Sequence, residues 1–221
     1  MEIVILGPQG SGKGTQSKLI VDNFDMTHIE MGLILRKLAS EDSEIGKRVD
    51  ETIHIKKELV SDEIVFSQLE NATSKALKEK GVIFDGVPRR LAQVKGFEEM
   101  TKRYERIVDG VFYIKVPLEE SIKRITKRYH CNDCDSRIVL GENIENPVDS
   151  CPKCGGTISQ RSDDTPEGVK KRLDIFYKET IPVIEYYRKI GILFEIDGQG
   201  SPEEVYSRIE KEIKILNERS G

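Results

Sequence analysis

Short apolar runs alternate along this chain with longer stretches in which apolar positions recur every three or four residues. The runs are EIVIL at 2–6, VIFDG at 82–86, GVFYIKV at 110–116 and GILFEIDG at 191–198. Their length and β-branched content predict strands. Segments 61–80, 90–104, 118–129, 165–190 and 202–217, with KGTQSKLIVDNF after the first run, have the spacing of amphipathic helices. Strands alternating with helices predict an α/β fold whose central parallel sheet is covered on both faces. Residues 130–162 break the rhythm. They hold Gly141, Gly155, Gly156, two prolines and all four cysteines, and so predict an inserted subdomain.

Composition narrows this picture. A chain of 221 residues is long enough for one large domain carrying a smaller insert. A third of the residues are charged but the net charge is only -4, so no global field draws nucleic acid or an anionic membrane. Any positive site must be local. The apolar runs are far too short to span a bilayer, and no charged region followed by a long apolar segment opens the chain. A cytoplasmic protein is expected.

The first candidate chemistry is GPQGSGKGTQ, directly after the first strand. Gly7, Gly12 and Lys13 satisfy the spacing GxxxxGK, in which glycines let backbone N–H groups curl around a phosphate at a helix N-terminus. Gly10, Ser11, Gly12, Gly14 and Thr15 would form that cradle, and Lys13 would reach the outer phosphates as a mobile charge. Gly14 stands where a magnesium-holding Ser or Thr is usual, with Thr15 one place later. Asp85, ending an apolar run, is the natural acidic partner for Mg²⁺ through water, and a turn-starting aspartate before Gly86 is its plainer reading.

Cys131, Cys134, Cys151 and Cys154 form two CxxC pairs separated by sixteen residues, the spacing of a structural Zn²⁺ ribbon. Two disulfides are the bland alternative, and the absence of a secretory signal weighs against them. A ribbon that reads nucleic acid is the other, disfavoured by few aromatics and by Asp133, Asp135, Glu142, Glu145 and Asp149. Arginines flank this insert. Arg124 and Arg128 are four apart on a predicted helix and so on one face, Arg161 follows the insert, and Arg172 lies in the next helix. Each alone reads as a solvated surface residue; facing a phosphate loop, guanidinium forks bind phosphate oxygens and neutralise charge in phosphoryl transfer.

Taken together, GPQGSGKGTQ, MGLILRK, LVSDEIV, FDGVPRR, KRITKR, CxxC with CPxC, QRSDDTPEGVKKRL, IPVIEYY and IDG resemble the adenylate kinase family in its long, zinc-lid form, over nearly the whole chain. The resemblance implies a three-layer P-loop kinase fold. Core segments 1–29, 61–124 and 163–221 would carry a helical monophosphate-binding segment at 30–60 and a zinc-binding lid at 125–162. It implies reversible transfer of the γ-phosphoryl of Mg·ATP to AMP, giving two ADP, by a protein that in this family form is a monomer. Lys13 would hold the donor phosphates and Arg124 the donor base. Arg128, Arg161 and Arg172 would surround the moving phosphoryl. Arg36 and Arg89 would grip the acceptor phosphate beside Gly86, and Gln93 would hydrogen-bond the acceptor base.

Two departures bear on specificity. The family's STGD is here EMGL, so Met31 replaces a threonine that reads adenine, and DGFPRT is here DGVPRR, with Val87 and Arg90. An apolar thioether tolerates more shapes than a hydrogen-bonding hydroxyl, so relaxed acceptor choice, extending to CMP or UMP, is expected. Nothing in the sequence selects ATP over other triphosphates such as GTP as the donor. Glu30 is either a solvated carboxylate or an acceptor for a base amine.

Overall fold

The computed structural model describes residues 1–134, 136–160 and 164–220, leaving aside the side chains of residues 219 and 220. In chain order the first half runs β1 (Glu2–Leu6), α1 (Lys13–Phe24), β2 (Thr27–Glu30), α2 (Met31–Ala39) and α3 (Glu44–Asp50) with a π-helical continuation Glu51–Lys56. Then come α4 (Asp62–Ser74), β3 (Val82–Asp85), α5 (Leu91–Arg103), β4 (Val108–Lys115) and α6 (Leu118–Thr126). The insert contributes β5 (Arg128–Cys131), β6 (Arg137–Val139) and β7 (Ile158–Ser159). The chain closes with α7 (Pro166–Ile175), a π-helical stretch Phe176–Thr180, α8 (Ile181–Lys189), β8 (Leu193–Asp197) and α9 (Pro202–Ser220).

Five parallel strands pair in the order β2-β3-β1-β4-β8, which puts β1 at the centre. The apolar run of β1 is sorted by its own alternation. Val4 and Leu6 join one core with Phe84, Leu69, Phe97 and Tyr187, while Ile3 and Ile5 join another with Ile20, Phe112, Ile209 and Ile213. The strand is thus buried on both faces, as its continuous hydrophobicity requires. Edge-on packing of Phe84 against Phe97, with ring centroids 5.1 Å apart, ties the sheet to α5. Among the described residues no helix is long and apolar enough to cross a membrane.

Three sequence expectations need correction. The helix predicted over 118–129 stops at Thr126, and Arg128 instead opens β5, paired with Val139 in the antiparallel lid hairpin. Arg124 and Arg128 therefore do not share a helix face. The ladder that carries Cys131 into its cluster begins at Arg128, and this tertiary demand overrides the helical spacing. The helix predicted over 61–80 ends at Ser74, with turns to Lys80. Strand β2 was not foreseen, because THIE has no apolar run; it forms by pairing Thr27–Glu30 with Val82–Asp85.

At the amino edge of the sheet lies a buried ion pair. Arg106 Nη1 donates to Glu2 Oε1 at 2.6 Å and to the Lys80 carbonyl at 3.0 Å, and Nη2 donates to the Leu77 carbonyl at 2.8 Å. Glu2 Oε2 accepts from the Val82 N–H at 3.0 Å. Burial raises the Glu2 carboxyl above its usual range despite Arg106. Its partners nevertheless match it one to one.

Candidate active site

At the opposite, carboxyl edge of the sheet the connection from β1 leads to β2 on one side while that from β3 passes β1 to reach β4 on the other, a divergence at which open parallel sheets form a crevice. The glycine loop leaves β1 there. Gly10 and Gly12 have φ of 80° and 93°, left-handed values that favour glycine. A Cβ at Gly10 would meet the Ser121 carbonyl at 2.6 Å. Helix α1 starts at Lys13 with no side-chain cap and no acid in its first turn. Its amino end therefore presents uncapped N–H groups and an uncompensated positive dipole.

Lys13 folds back across this loop, donating from Nζ to the carbonyls of Gly7 at 2.6 Å and Pro8 at 2.9 Å. Burial within the cleft pushes its pKa down to about 8, with Arg89, Arg128 and Arg137 adding to the shift and Asp85 opposing it. Asp85, only 5 % exposed, ends β3 beside the loop. Its Oδ2 lies 3.4 Å from both Ser17 Oγ and His28 Nε2, while Oδ1 receives no hydrogen bond from the described residues. An oxygen held at the cleft in this way is available to a water of a hydrated Mg²⁺.

On one side of the loop, Arg36 pairs with Glu30 at 3.1 Å, which gives Glu30 a partner within the protein. Arg89 donates from Nε to the Gly86 carbonyl at 3.0 Å. Among the described residues no carboxylate lies within ion-pair distance of Arg89. The surrounding protein lowers its pKa, by burial first and then, against Asp85, by Arg36 and Arg172. Met31 is 3 % exposed and packs into the core beside Leu35 and Val87.

On the other side, Asp164 gathers Arg128 of β5 and Arg172 of α7. Arg128 reaches it in a fork, Nε to Oδ2 at 3.1 Å and Nη2 to Oδ1 at 2.7 Å, and Arg172 Nη2 adds a contact at 2.6 Å. Gln9 Nε2 of the glycine loop donates to the same oxygen at 3.1 Å. Burial would raise this carboxyl, but Arg128 and Arg172 hold it below its usual range. Asp164 thus supplies a carboxylate that pairs arginines directly after the insert. Arg161 itself lies outside the described residues. Arg124 bonds Glu120 one turn earlier on α6 at 2.7 Å.

Two cross-links were not legible in the sequence. Arg137 of β6 donates from Nη1 to Thr15 Oγ1 at 3.0 Å, bringing the lid onto α1. Lys57 Nζ donates to Thr165 Oγ1 at 3.2 Å, and Lys171 bonds the Lys56 carbonyl, joining the segment before α4 to α7. Each needs the tertiary fold to bring distant residues together. A cleft of about 1900 Å³ results, lined by every described candidate from the loop, the 30–60 segment, the β3 end and the flanking arginines.

In the insert the four cysteine sulfurs lie within 4.8 Å of one another, with Cys131 to Cys154 at 3.5 Å and Cys134 to Cys151 at 3.8 Å. All four are free thiols, so the disulfide alternative does not hold. A tetrahedron with Zn–S bonds of about 2.3 Å has S···S edges of roughly 3.8 Å, and the observed cluster fits that size. Asp133 and Asp149 are spent on lid turns, accepting from the N–H groups of Thr157 and of Glu145 and Asn146.

Comparison with known proteins gives a consistent result. A family model described as adenylate kinase matches residues 5–192. An adenylate kinase of Archaeoglobus fulgidus is 39% identical over 210 residues, covering 95% of this chain and 96% of the relative. Adenylate kinases of Carboxydothermus hydrogenoformans and Methanosarcina barkeri are each 38% identical over 214 residues, covering 97% of this chain and 100% and 99% of theirs.

Proposed function

The chain belongs to the adenylate kinase family and is a nucleoside monophosphate kinase, and on that premise we propose how its cleft moves the γ-phosphoryl of Mg·ATP to AMP and why its choice of acceptor is broad. The observation that supports this reading is the cleft itself, where a glycine cradle with its lysine faces a ring of guanidinium groups in a lining whose arginines and lysines together outnumber its carboxylates among the described residues. Such a site is completed by polyphosphate.

In this reading Gly10, Ser11, Gly12, Gly14 and Thr15 cradle the donor phosphates with their backbone N–H groups. Lys13 exchanges its carbonyl partners for phosphate oxygens. Arg124 lies against the donor base, and Asp85 would hold, through water, the Mg²⁺ that accompanies ATP. Arg36 and Arg89 bind the acceptor phosphate beside Gly86. Arg128 and Arg172, with Arg161, surround the transferring group, and Asp164 keeps the first two in place. The nucleophile is a phosphate oxygen already largely ionised near pH 7, because its second pKa is about 6. No general base is needed. Alignment, charge neutralisation and exclusion of water remain for the protein, and the lid covers the cleft.

The four thiolates would hold a structural Zn²⁺ with no position open for catalysis. Among the described residues, Cys131, Ile138, Ile144 and Cys151 alone form the buried centre of the lid, too little to stand without a staple. Segments 30–60 and 125–162 are the moving parts on a core formed by the rest. The cleft is assembled within one chain, so a monomer suffices. A cytoplasmic location, with no nucleic-acid partner, belongs to the same reading and rests on kinship and the reduced cysteines.

Met31 supports relaxed base choice, since it brings no hydrogen-bonding group to the acceptor pocket. A UMP/CMP or broad-specificity kinase is the second reading, favoured by the same residue. An initial-rate matrix of triphosphate donors against AMP, CMP, UMP and GMP tests both. ADP formation from ATP and AMP, lost in Lys13→Met, is expected, with CMP or UMP also accepted. Strict AMP use would reject the relaxed specificity.

A further inference from the structure

Gln93 is 2 % exposed and lines the cleft, yet nearly all of its hydrogen-bonding capacity is committed within the protein. Oε1 accepts from the backbone N–H groups of Arg89 at 2.7 Å and Arg90 at 3.2 Å. Nε2 donates to Asp62 Oδ1 at 2.7 Å. These partners fix the amide's orientation, because backbone N–H groups need an acceptor and a carboxylate needs a donor. Both lone pairs of Oε1 are used, and one N–H remains.

The neighbouring acceptors are drawn inward as well. Arg90, the residue that departs from the family pattern, donates from Nη1 to Asp62 Oδ1 at 2.5 Å and to the Val60 carbonyl at 3.2 Å, and from Nη2 to the Leu59 carbonyl at 3.1 Å. The Gly86 carbonyl receives Arg89 Nε at 3.0 Å. Leu59, Val60, Gly86 and Gln93 all face the cleft, as does Met31, which offers neither donor nor acceptor to a base. Each of these carbonyls thus already receives a charge-assisted donor, which satisfies it more fully than a neutral amine would.

We infer that Arg90 and Asp62 are specificity-determining residues that make the acceptor pocket blind to the exocyclic amine of the base, by locking Gln93 as a single N–H donor and engaging the carbonyls beside it. One N–H finds an acceptor on every base: N1 of adenine, N3 of cytosine, O4 of uracil, O6 of guanine. A donor-only wall therefore selects for a nucleoside monophosphate without selecting its base. This rests on the phosphoryl-transfer reading and sharpens it, since Met31 explains the loss of one contact and the Arg90 lock explains the loss of the other.

The test uses the zinc-loaded full chain with Mg·ATP and two acceptors, AMP and purine riboside 5′-monophosphate, which lacks the 6-amino group. Wild type is expected to use both with kcat/KM within about threefold, the scale of at most a weak hydrogen bond. Arg90→Thr frees the Leu59 and Val60 carbonyls, and the preference for AMP should rise about tenfold, carried by the acceptor KM. A merely structural role for Arg90 would lower kcat for both acceptors and leave their ratio unchanged. Rejection of the amine-free analogue by wild type, by about a hundredfold while AMP is used well, would overturn the inference and leave the kinase reading intact. No transfer to any acceptor would overturn both.

Discussion

The two edges of the parallel sheet use buried guanidinium groups in opposite ways. At the amino edge Arg106 meets Glu2 and two carbonyls, and Glu2 spends its second oxygen on a backbone N–H, so the charges are matched inside the protein. At the carboxyl edge Lys13, Arg36, Arg89, Arg128 and Arg137 face chiefly Asp85, Asp164 and Glu30 among the described residues. Burial first, and then Arg89, Arg128 and Arg137 against Asp85, depress the pKa of Lys13. A matched cluster serves the fold, whereas an unmatched one costs the free protein stability that an incoming anion restores.

Breaking the matched edge should have the largest effect. Arg106→Leu leaves Glu2 buried without its counter-ion and should lower unfolding free energy by about 3–5 kcal/mol. Denaturant titration measures it, and kcat per folded molecule should hardly change. The unmatched edge should answer in the opposite currency. Lys13→Met should lower kcat by about 10²–10³, comparable to removing a single transition-state donor.

Acidity sharpens the contrast. Lys13 in the free protein loses its proton near pH 8, below the unfolded value of about 10.4. Phosphate binding needs the proton, so kcat/KM for ATP should be level below pH 8 and fall up to about tenfold per pH unit above it, reporting the free enzyme. The same shift means the unfolded chain holds this proton more tightly. Its contribution to stability therefore rises as pH climbs from about 8 toward 10.4.

Zinc removal separates the lid from both edges. Chelation should abolish most activity and loosen the lid in hydrogen exchange while α1 and β1 stay protected, whereas global unfolding at the same chelator concentration would contradict that division. Smallest of all, Arg137→Leu removes one lid-to-α1 hydrogen bond and should cost no more than about tenfold in kcat/KM.

How much of this was legible depends on whether the information was local. The glycine loop, Asp85 at a strand end and the paired CxxC spacings announce themselves, because backbone geometry and metal coordination impose them on neighbouring residues. Strand β2 did not, since THIE owes its conformation to β3 and not to its own pattern. Arg128 was read on a helix because its spacing from Arg124 is helical, and only the cysteine cluster explains why it begins a strand. The pairing of Asp164 with Arg128, the reach of Arg137 to Thr15 and the bond from Gln93 to Asp62 join residues between 31 and 122 positions apart. No periodicity records such contacts.

The most direct test of the contrast between the two edges is the thermal unfolding midpoint of wild type, Lys13→Met and Arg106→Leu at pH 7, each with and without Mg·ATP. Without nucleotide, Lys13→Met should be at least as stable as wild type, because it removes a proton-bearing group from a positive surplus, and it should lose most of the stabilisation that Mg·ATP gives wild type. Arg106→Leu should melt far lower yet keep its response to Mg·ATP. If Lys13→Met instead fell as far as Arg106→Leu and still responded fully to nucleotide, the carboxyl edge would be a structural cluster like the other and the account would be contradicted.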